Sequence, residues 1–264
     1  MGKEIAMPHI AYKGINLYFS VLVSKRRRTI ALRVNRNGTV AVAAPSFVNG
    51  AIVRGFVKRK AGWILEKQKY FAEVARKYPP REFTSGETFP LHGRNYMLKI
   101  VNVISIETLR SISNGIRAPG IEKYGYKVEG KRLKIFINQQ AGKEQQDIAR
   151  KAVQDWYTVH TEKKVNTVIA KYASALDVLP LKIKVVDQRS RWASCSKTKV
   201  LRFNWRLSMM PVSVLEYIVV HELCHLKVHD HSPRFWRIVK SVLPDYEKRR
   251  AWLRENGIII ALMF

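Results

Sequence analysis

Five residues in the second half of the chain, His221-Glu222-Leu223-Cys224-His225, restrict the fold more than any other stretch. Two imidazoles reach one ion only if residues i and i+4 share a face, so the segment must be helical. The preceding apolar run Ile218-Val219-Val220 suits a helix buried on most sides. With 7 His in 264 residues, the pattern arises by chance in about 1% of shuffled chains. Glu222 sits about 100° round the helix axis from His221, near the ion without occupying a ligand position. Zinc lowers the pKa of a bound water towards about 7, and a neighbouring carboxylate can take its proton. His221 and His225 are therefore candidate ligands, and Glu222 is the candidate general base.

A third ligand is needed, and two histidines offer themselves. On a continued helix His229 would lie one turn too far along the same face. His231 can ligate only if the helix stops near Val228, and His229-Asp230-His231-Ser232-Pro233 supplies a stop. That favours His231, in a spacing H-x3-H-x5-H shared with several zinc proteases. Some of these place Gly in the intervening turn where this chain has Val228, so the turn must form differently. Cys224 faces another side of the helix and reads as a small buried hydrophobe.

The rest of the chain reads as α+β. INLYFSVLV and TIALRV are strand-like, and Asn37-Gly38 joins TIALRV to TVAVAAP in an expected hairpin. Residues 50–77 read as one helix with Ile52, Phe56, Ile64 and Phe71 among its apolar positions, ended by Pro79-Pro80. Residues 83–138 are β-rich, through TFPLHG, NYMLKIVNVISI and a hairpin turning at Glu129-Gly130. The pattern becomes helical over 143–175, then gives strands LKIKVV and VLRFNW. A helix is expected over 213–228, with Ser213 and Glu216 spaced as a capping box, and another starts at Ser232-Pro233. No internal repeat is visible. The expected division is a basic β-rich region with one helix over 1–140 and a compact catalytic region over 141–264.

Charge sets the remaining expectations. Lys and Arg number 48 against 20 acids, a net +28. Residues 1–140 hold 26 basic and 8 acidic residues, residues 141–264 hold 22 and 12. Lys25–Arg28 and Lys58–Lys60, with Trp63, Tyr70 and Phe71 nearby, give the first region a possible non-specific affinity for nucleic acid, sensitive to salt. The sequence shows no run long enough for a transmembrane segment and no signal peptide. Two cysteines imply no disulfide framework, which fits the cytoplasm. The competing readings are a nucleic-acid-associated protein, either with a structural zinc site closed by His229 or Cys195 or acting on DNA-bound proteins, and a membrane-surface protein.

Ser190-Arg191-Trp192-Ala193-Ser194-Cys195-Ser196, Asn204-Trp205-Arg206-Leu207, Pro211, Tyr217 through His225, His231-Ser232, Phe235-Trp236 and Pro244-Asp245-Tyr246 together resemble the YgjP-like zinc metallopeptidase family. That family is similar to the WLM and SprT-like metalloproteases. Ser24 through Arg28, Asn37-Gly38, Ala44-Pro45, Trp63-Ile64, Ser85-Gly86-Glu87 and His92 through Tyr96 extend the resemblance over nearly the whole chain. The resemblance implies one Zn2+ held by His221, His225 and His231, Glu222 as general base, and a peptide or protein substrate. The chain departs from the pattern at Ala193, where the family usually has Gly, and the extra methyl is expected either to crowd a tight strand turn or to narrow the cleft.

Around this site lie weaker candidates. Arg191 and Tyr246 could bind substrate or an oxyanion, as could Arg189. Tyr217 reads as a packing or supporting residue, and Trp192, Trp205 and Trp236 as aromatics beneath the site.

Overall fold

The computed structural model describes residues 8–103, 124–138, 144–188 and 190–264. Arg189 and the expected continuation of a strand through residues 104–106 lie outside them. The architecture is α+β, as the sequence implies, and the chain forms two compact units that divide between Pro80 and Arg81.

The first unit contains strands β1 (His9–Tyr12), β2 (Ile15–Ser24), β3 (Ala31–Val34) and β4 (Val40–Pro45) in the order β1-β2-β4-β3. Strands β3 and β4 are the expected hairpin, with Gly38 at φ +81°. Strand β1 was not expected; it pairs antiparallel with β2 across Lys13-Gly14, both at positive φ. Helices α1 (Gly50–Arg59) and α2 (Ala61–Lys77) replace the single helix expected over 50–77, because Lys60 (φ −99°, ψ 4°) interrupts it. The buried stripe of these helices is Val53, Val57, Ala61 and Ile64, whereas Ile52 is 51% exposed. It closes a small core with Leu17, Phe19, Val40 and Val42.

The second unit opens with strands β5 (Thr88–Leu91), β6 (Arg94–Val103), β7 (Tyr124–Glu129) and β8 (Arg132–Asn138), in the order β5-β6-β8-β7. This is the arrangement of the first sheet again. In each, an antiparallel hairpin turns on a residue-Gly pair at positive φ, its second strand runs parallel to a later strand, and that strand closes a second hairpin. The repeat expected to be absent is therefore present in topology. It was hidden because the matching strands share few residues, the turn glycines Gly14 and Gly93 and Asn16 and Asn95 two places on among them, beyond the alternation of apolar positions.

Helix α3 (Gln145–Tyr172) packs on β7 and β8 and also on the elements that follow it. It buries Ala149, Ala152, Val153, Trp156 and Tyr157. This explains why the unit boundary falls at 80/81 and not at 140: the β5–β8 sheet shares one continuous core with the C-terminal helices. Next come β9 (Lys182–Val186), β10 (Ala193–Cys195) and β11 (Val200–Asn204), a sheet ordered β10-β11-β9, and a 3-10 turn at Trp205–Met209. Helices α4 (Val212–Cys224), α5 (Pro233–Val242) and α6 (Tyr246–Leu262) complete the unit. Among the described residues, no helix is long and apolar enough to cross a membrane.

Candidate metal centre

Helix α4 is the scaffold of the site. It is apolar almost all round and buries Val214, Leu215, Ile218, Val219, Val220 and Leu223, so its position is fixed by packing. The expected capping box does not form. Pro211 is the N-cap, with no side-chain cap, and the Glu216 carboxylate binds two cations and a phenol instead. Lys171 Nζ (2.9 Å), Tyr172 Oη (2.8 Å) and Arg249 Nη1 (2.5 Å) all donate to it. Hydrogen bonds from cations are stronger than one from a backbone amide, so the ion network wins.

The helix ends at Cys224, four residues before the expected stop. Leu226 and Lys227 amides then donate to the Leu223 and Cys224 carbonyls (both 3.0 Å), a tightening that needs no left-handed residue at Val228. Val228 is buried and its carbonyl lies 3.0 Å from His225 Nδ1. A carbonyl only accepts, so Nδ1 carries the proton and Nε2 keeps its lone pair. The Ser232 amide donates to Asp230 Oδ1 (3.1 Å), which turns the chain into α5, where Ser232 is the N-cap residue and Pro233 is the first helical residue.

This turn brings His231 back to the helix. His221 Nε2 is 3.1 Å from His225 Nε2 and 3.0 Å from His231 Nε2. A ligand atom from each of the three lies within 4.8 Å of the others, and His229 is not in the group. The Phe235 ring stacks on His225 at 4.5 Å and backs the cluster. Burial, followed by the charges of His225, His231 and Arg250, lowers the His221 pKa to about 3. Burial also lowers that of His225. These two rings are therefore neutral at pH 7, as ligands must be. His221 Nδ1 is buried without a hydrogen-bond partner among the described residues. No fourth side chain from the described residues joins the three.

Glu222 is 6% exposed. Burial raises its pKa to about 7, while the charge of Arg191 acts in the opposite direction. It opens with His221 onto a cleft of about 810 Å³ that is also lined by Trp192, Ala193 and Tyr217. Ala193 begins β10, paired with Phe203, so its methyl takes space from the cleft wall and crowds no turn. The loop before it is pinned by buried Asn204, whose Nδ2 donates to the carbonyls of Gln188 (2.6 Å) and Arg191 (3.1 Å).

Tyr246 starts α6, stacks on Trp236 at 5.3 Å, and donates from its hydroxyl to Glu247 Oε1 (3.3 Å). Tyr217 packs edge-on against His221 at 5.9 Å. Trp205 is buried in the core, whereas Trp192 and Trp236 are half-buried. Cys224 is fully buried. Cys195 is half-buried, and burial, then the charge of Glu222, raises its thiol pKa to about 11. The residue that sequence reasoning missed is Arg250. It lines the cleft and sits 4.7 Å over the Trp236 ring. Its one sequence signal is position: four residues after Tyr246, it shares that residue's helix face.

Residues 28–256 match the family model described as YgjP-like, metallopeptidase domain. The chain belongs to the YgjP-like metallopeptidase family. It is accordingly a peptide hydrolase, and membership in this family implies a metal ion. Two solved structures share part of the YgjP-like chain. One, the metallopeptidase zymogen of Pyrococcus abyssi abylysin, is 22% identical, with 34% of this chain and 93% of that chain covered and a TM-score of 0.31. The other, the metallopeptidase zymogen of Methanocaldococcus jannaschii jannalysin, is 21% identical, with 35% and 95% covered and a TM-score of 0.31. No curated protein sequence matches this chain.

Proposed function

We propose that the protein is a zinc-dependent peptidase in which His221, His225 and His231 hold a single Zn2+ and Glu222 is the general base. The observation that carries this reading is the convergence of three Nε2 atoms beside one buried carboxylate. The donor set suits zinc. Imidazole nitrogens about 2.0–2.1 Å from a tetrahedral ion stand about 3.3 Å apart, and the observed 3.0 and 3.1 Å lie within a few tenths of that. His225 Nε2 offers a lone pair, and a single N–H on His221 Nε2 could be aimed at His225 or at His231 but not at both, whereas one cation satisfies all three Nε2 atoms at once. Three protein ligands leave a coordination position open, as catalytic sites do and closed structural sites do not.

When bound, zinc supplies Lewis acidity, acidifying water and polarising a carbonyl. The chain's own residues do the rest. Glu222 holds the proton of the attacking water on a carboxylate oxygen and passes it to the leaving amine. Val228, through its carbonyl, fixes the tautomer of His225. Phe235 and Trp236 exclude water from behind the imidazoles. Arg191 and Tyr246 are the candidates for steadying the substrate carbonyl. Arg191 already acts electrostatically on Glu222. The test is metal analysis with peptide hydrolysis: one zinc per chain and turnover in the wild type, with turnover lost in Glu222→Gln.

A second reading is favoured by charge. Residues 1–80 alone hold 16 Lys and Arg against 3 acids. This supports non-specific nucleic-acid binding by the first unit, in addition to the peptidase site. A cytoplasmic setting fits the two free thiols, Cys195 and Cys224.

A further inference from the structure

The cleft carries cations for which the proposed chemistry has no use. Arg249, Arg250 and Arg254 lie close together on α6, yet their environments differ. Arg249 is used in the fold: Nη1 donates to Glu216 (2.5 Å) and to the Ser213 carbonyl (3.1 Å), and Nε donates to Asp245 (3.0 Å). Arg250 and Arg254 instead line the cleft beside His221 and Glu222. Among the described residues, neither has a carboxylate within ion-pair distance, in contrast to Arg249.

Arg250 is nonetheless held in place. Its guanidinium lies 4.7 Å over the ring of Trp236, which is itself stacked on Tyr246. A guanidinium stacked on an aromatic face keeps its N–H donors at the edge of the plane, free to grip a planar anion by two parallel bonds. Glu247, the other acid of the cleft lining, is engaged by the Tyr246 hydroxyl at 3.3 Å. A positioned guanidinium with no carboxylate partner among the described residues, in a cleft that opens on the candidate metal site, has the form of a carboxylate-binding subsite.

We propose that Arg250, assisted by Arg254, binds a carboxylate of the substrate, so that the cleft selects peptides carrying a carboxylate near the scissile bond. The inference rests on reading the cleft as the peptide-binding site. The carboxylate can be the peptide's C-terminus or an Asp or Glu side chain, and one peptide series separates these sources.

The series has a free C-terminus, its amide, an internal Asp, and the matching Asn. Dissociation constants are measured by tryptophan fluorescence on Glu222→Gln protein, and kcat/KM on the active enzyme. At least one carboxylate peptide should be preferred over its neutral match by about tenfold to a hundredfold, the range of a charged hydrogen bond. Which pair shows the preference identifies the source. In Arg250→Gln that ratio should fall towards one, through KM more than kcat. Arg250→Lys should keep part of it, because it retains the charge and loses the fork. Rising salt should shrink the wild-type ratio. Equal binding of all four peptides, no binding of either carboxylate peptide, or a ratio unchanged in Arg250→Gln would overturn the proposal. Should Arg250→Gln fail to fold, the Arg250→Lys and Arg254→Gln ratios decide: both unchanged overturns it. A carboxylate preference in binding without any hydrolysis would count against the peptidase reading alone.

Discussion

His231 reaches the cluster from outside the helix that carries the other two imidazoles, and its exposure contrasts with the burial of His225. The contribution of each ring can therefore be separated by substitution. His231→Ala should lower zinc affinity strongly, whereas His229→Ala should leave it near wild type. Competition against a chromophoric chelator measures both, and equal losses would remove His231 from its special place. At this scale the sequence was most informative. The spacing within His221–His225 forces a shared helix face, and Ser232-Pro233 announces the start of the next helix. Arg250 was not legible in the same way, because an arginine on a basic helix gives no sign of whether it faces solvent or a cleft. The same holds for Asn204, which supports the loop of Arg191 through two side-chain hydrogen bonds.

Among the elements, α4 shows where local rules yield to tertiary partners. Ser213 and Glu216 have the spacing of a capping box, yet Glu216 joins Lys171, Tyr172 and Arg249. No local pattern encodes that choice, since its partners come from α3 and α6. The network has a pH consequence. Burial raises the Glu216 pKa, but hydrogen bonds from Lys171, Arg249 and Tyr172 outweigh it, and the net shift is downward from 4.5. A carboxyl with a depressed pKa stabilises the fold fully above its unfolded pKa and loses that contribution as pH falls through the folded value. Thermal stability should therefore drop below about pH 4.5 in the wild type, and that limb should be shallower in Glu216→Gln. Parallel melting curves across pH would contradict the network. The break at Lys60 and the added strand β1 were also missed, because helix continuity and short edge strands depend on packing more than on composition.

At the scale of the molecule, the sequence placed the boundary at residue 140, and the contacts place the change of unit at Pro80–Arg81. Residues 1–80 carry a net +13 (16 basic, 3 acidic) and residues 81–264 a net +15 (32 basic, 17 acidic), so charge density halves near this boundary, and the continuous core from Phe83 to Ile260 begins there. Two expectations follow. Residues 81–264 expressed alone should fold and bind zinc, since all three imidazoles and their supports lie there; a fragment without cooperative melting would contradict this. The full chain should bind duplex DNA with an affinity that falls steeply with salt, and the fragment should lose most of it. An affinity insensitive to salt would remove nucleic acid as a partner of the first unit. The central claim is the pairing of a three-histidine zinc site with a Glu222 base, and it is tested most directly by zinc content and peptide turnover in wild type and Glu222→Gln, measured side by side. Both proteins should hold one zinc per chain, with turnover in the variant lower by about 10²–10⁴-fold. Equal turnover in the two proteins, or an active wild type free of metal, would contradict the account.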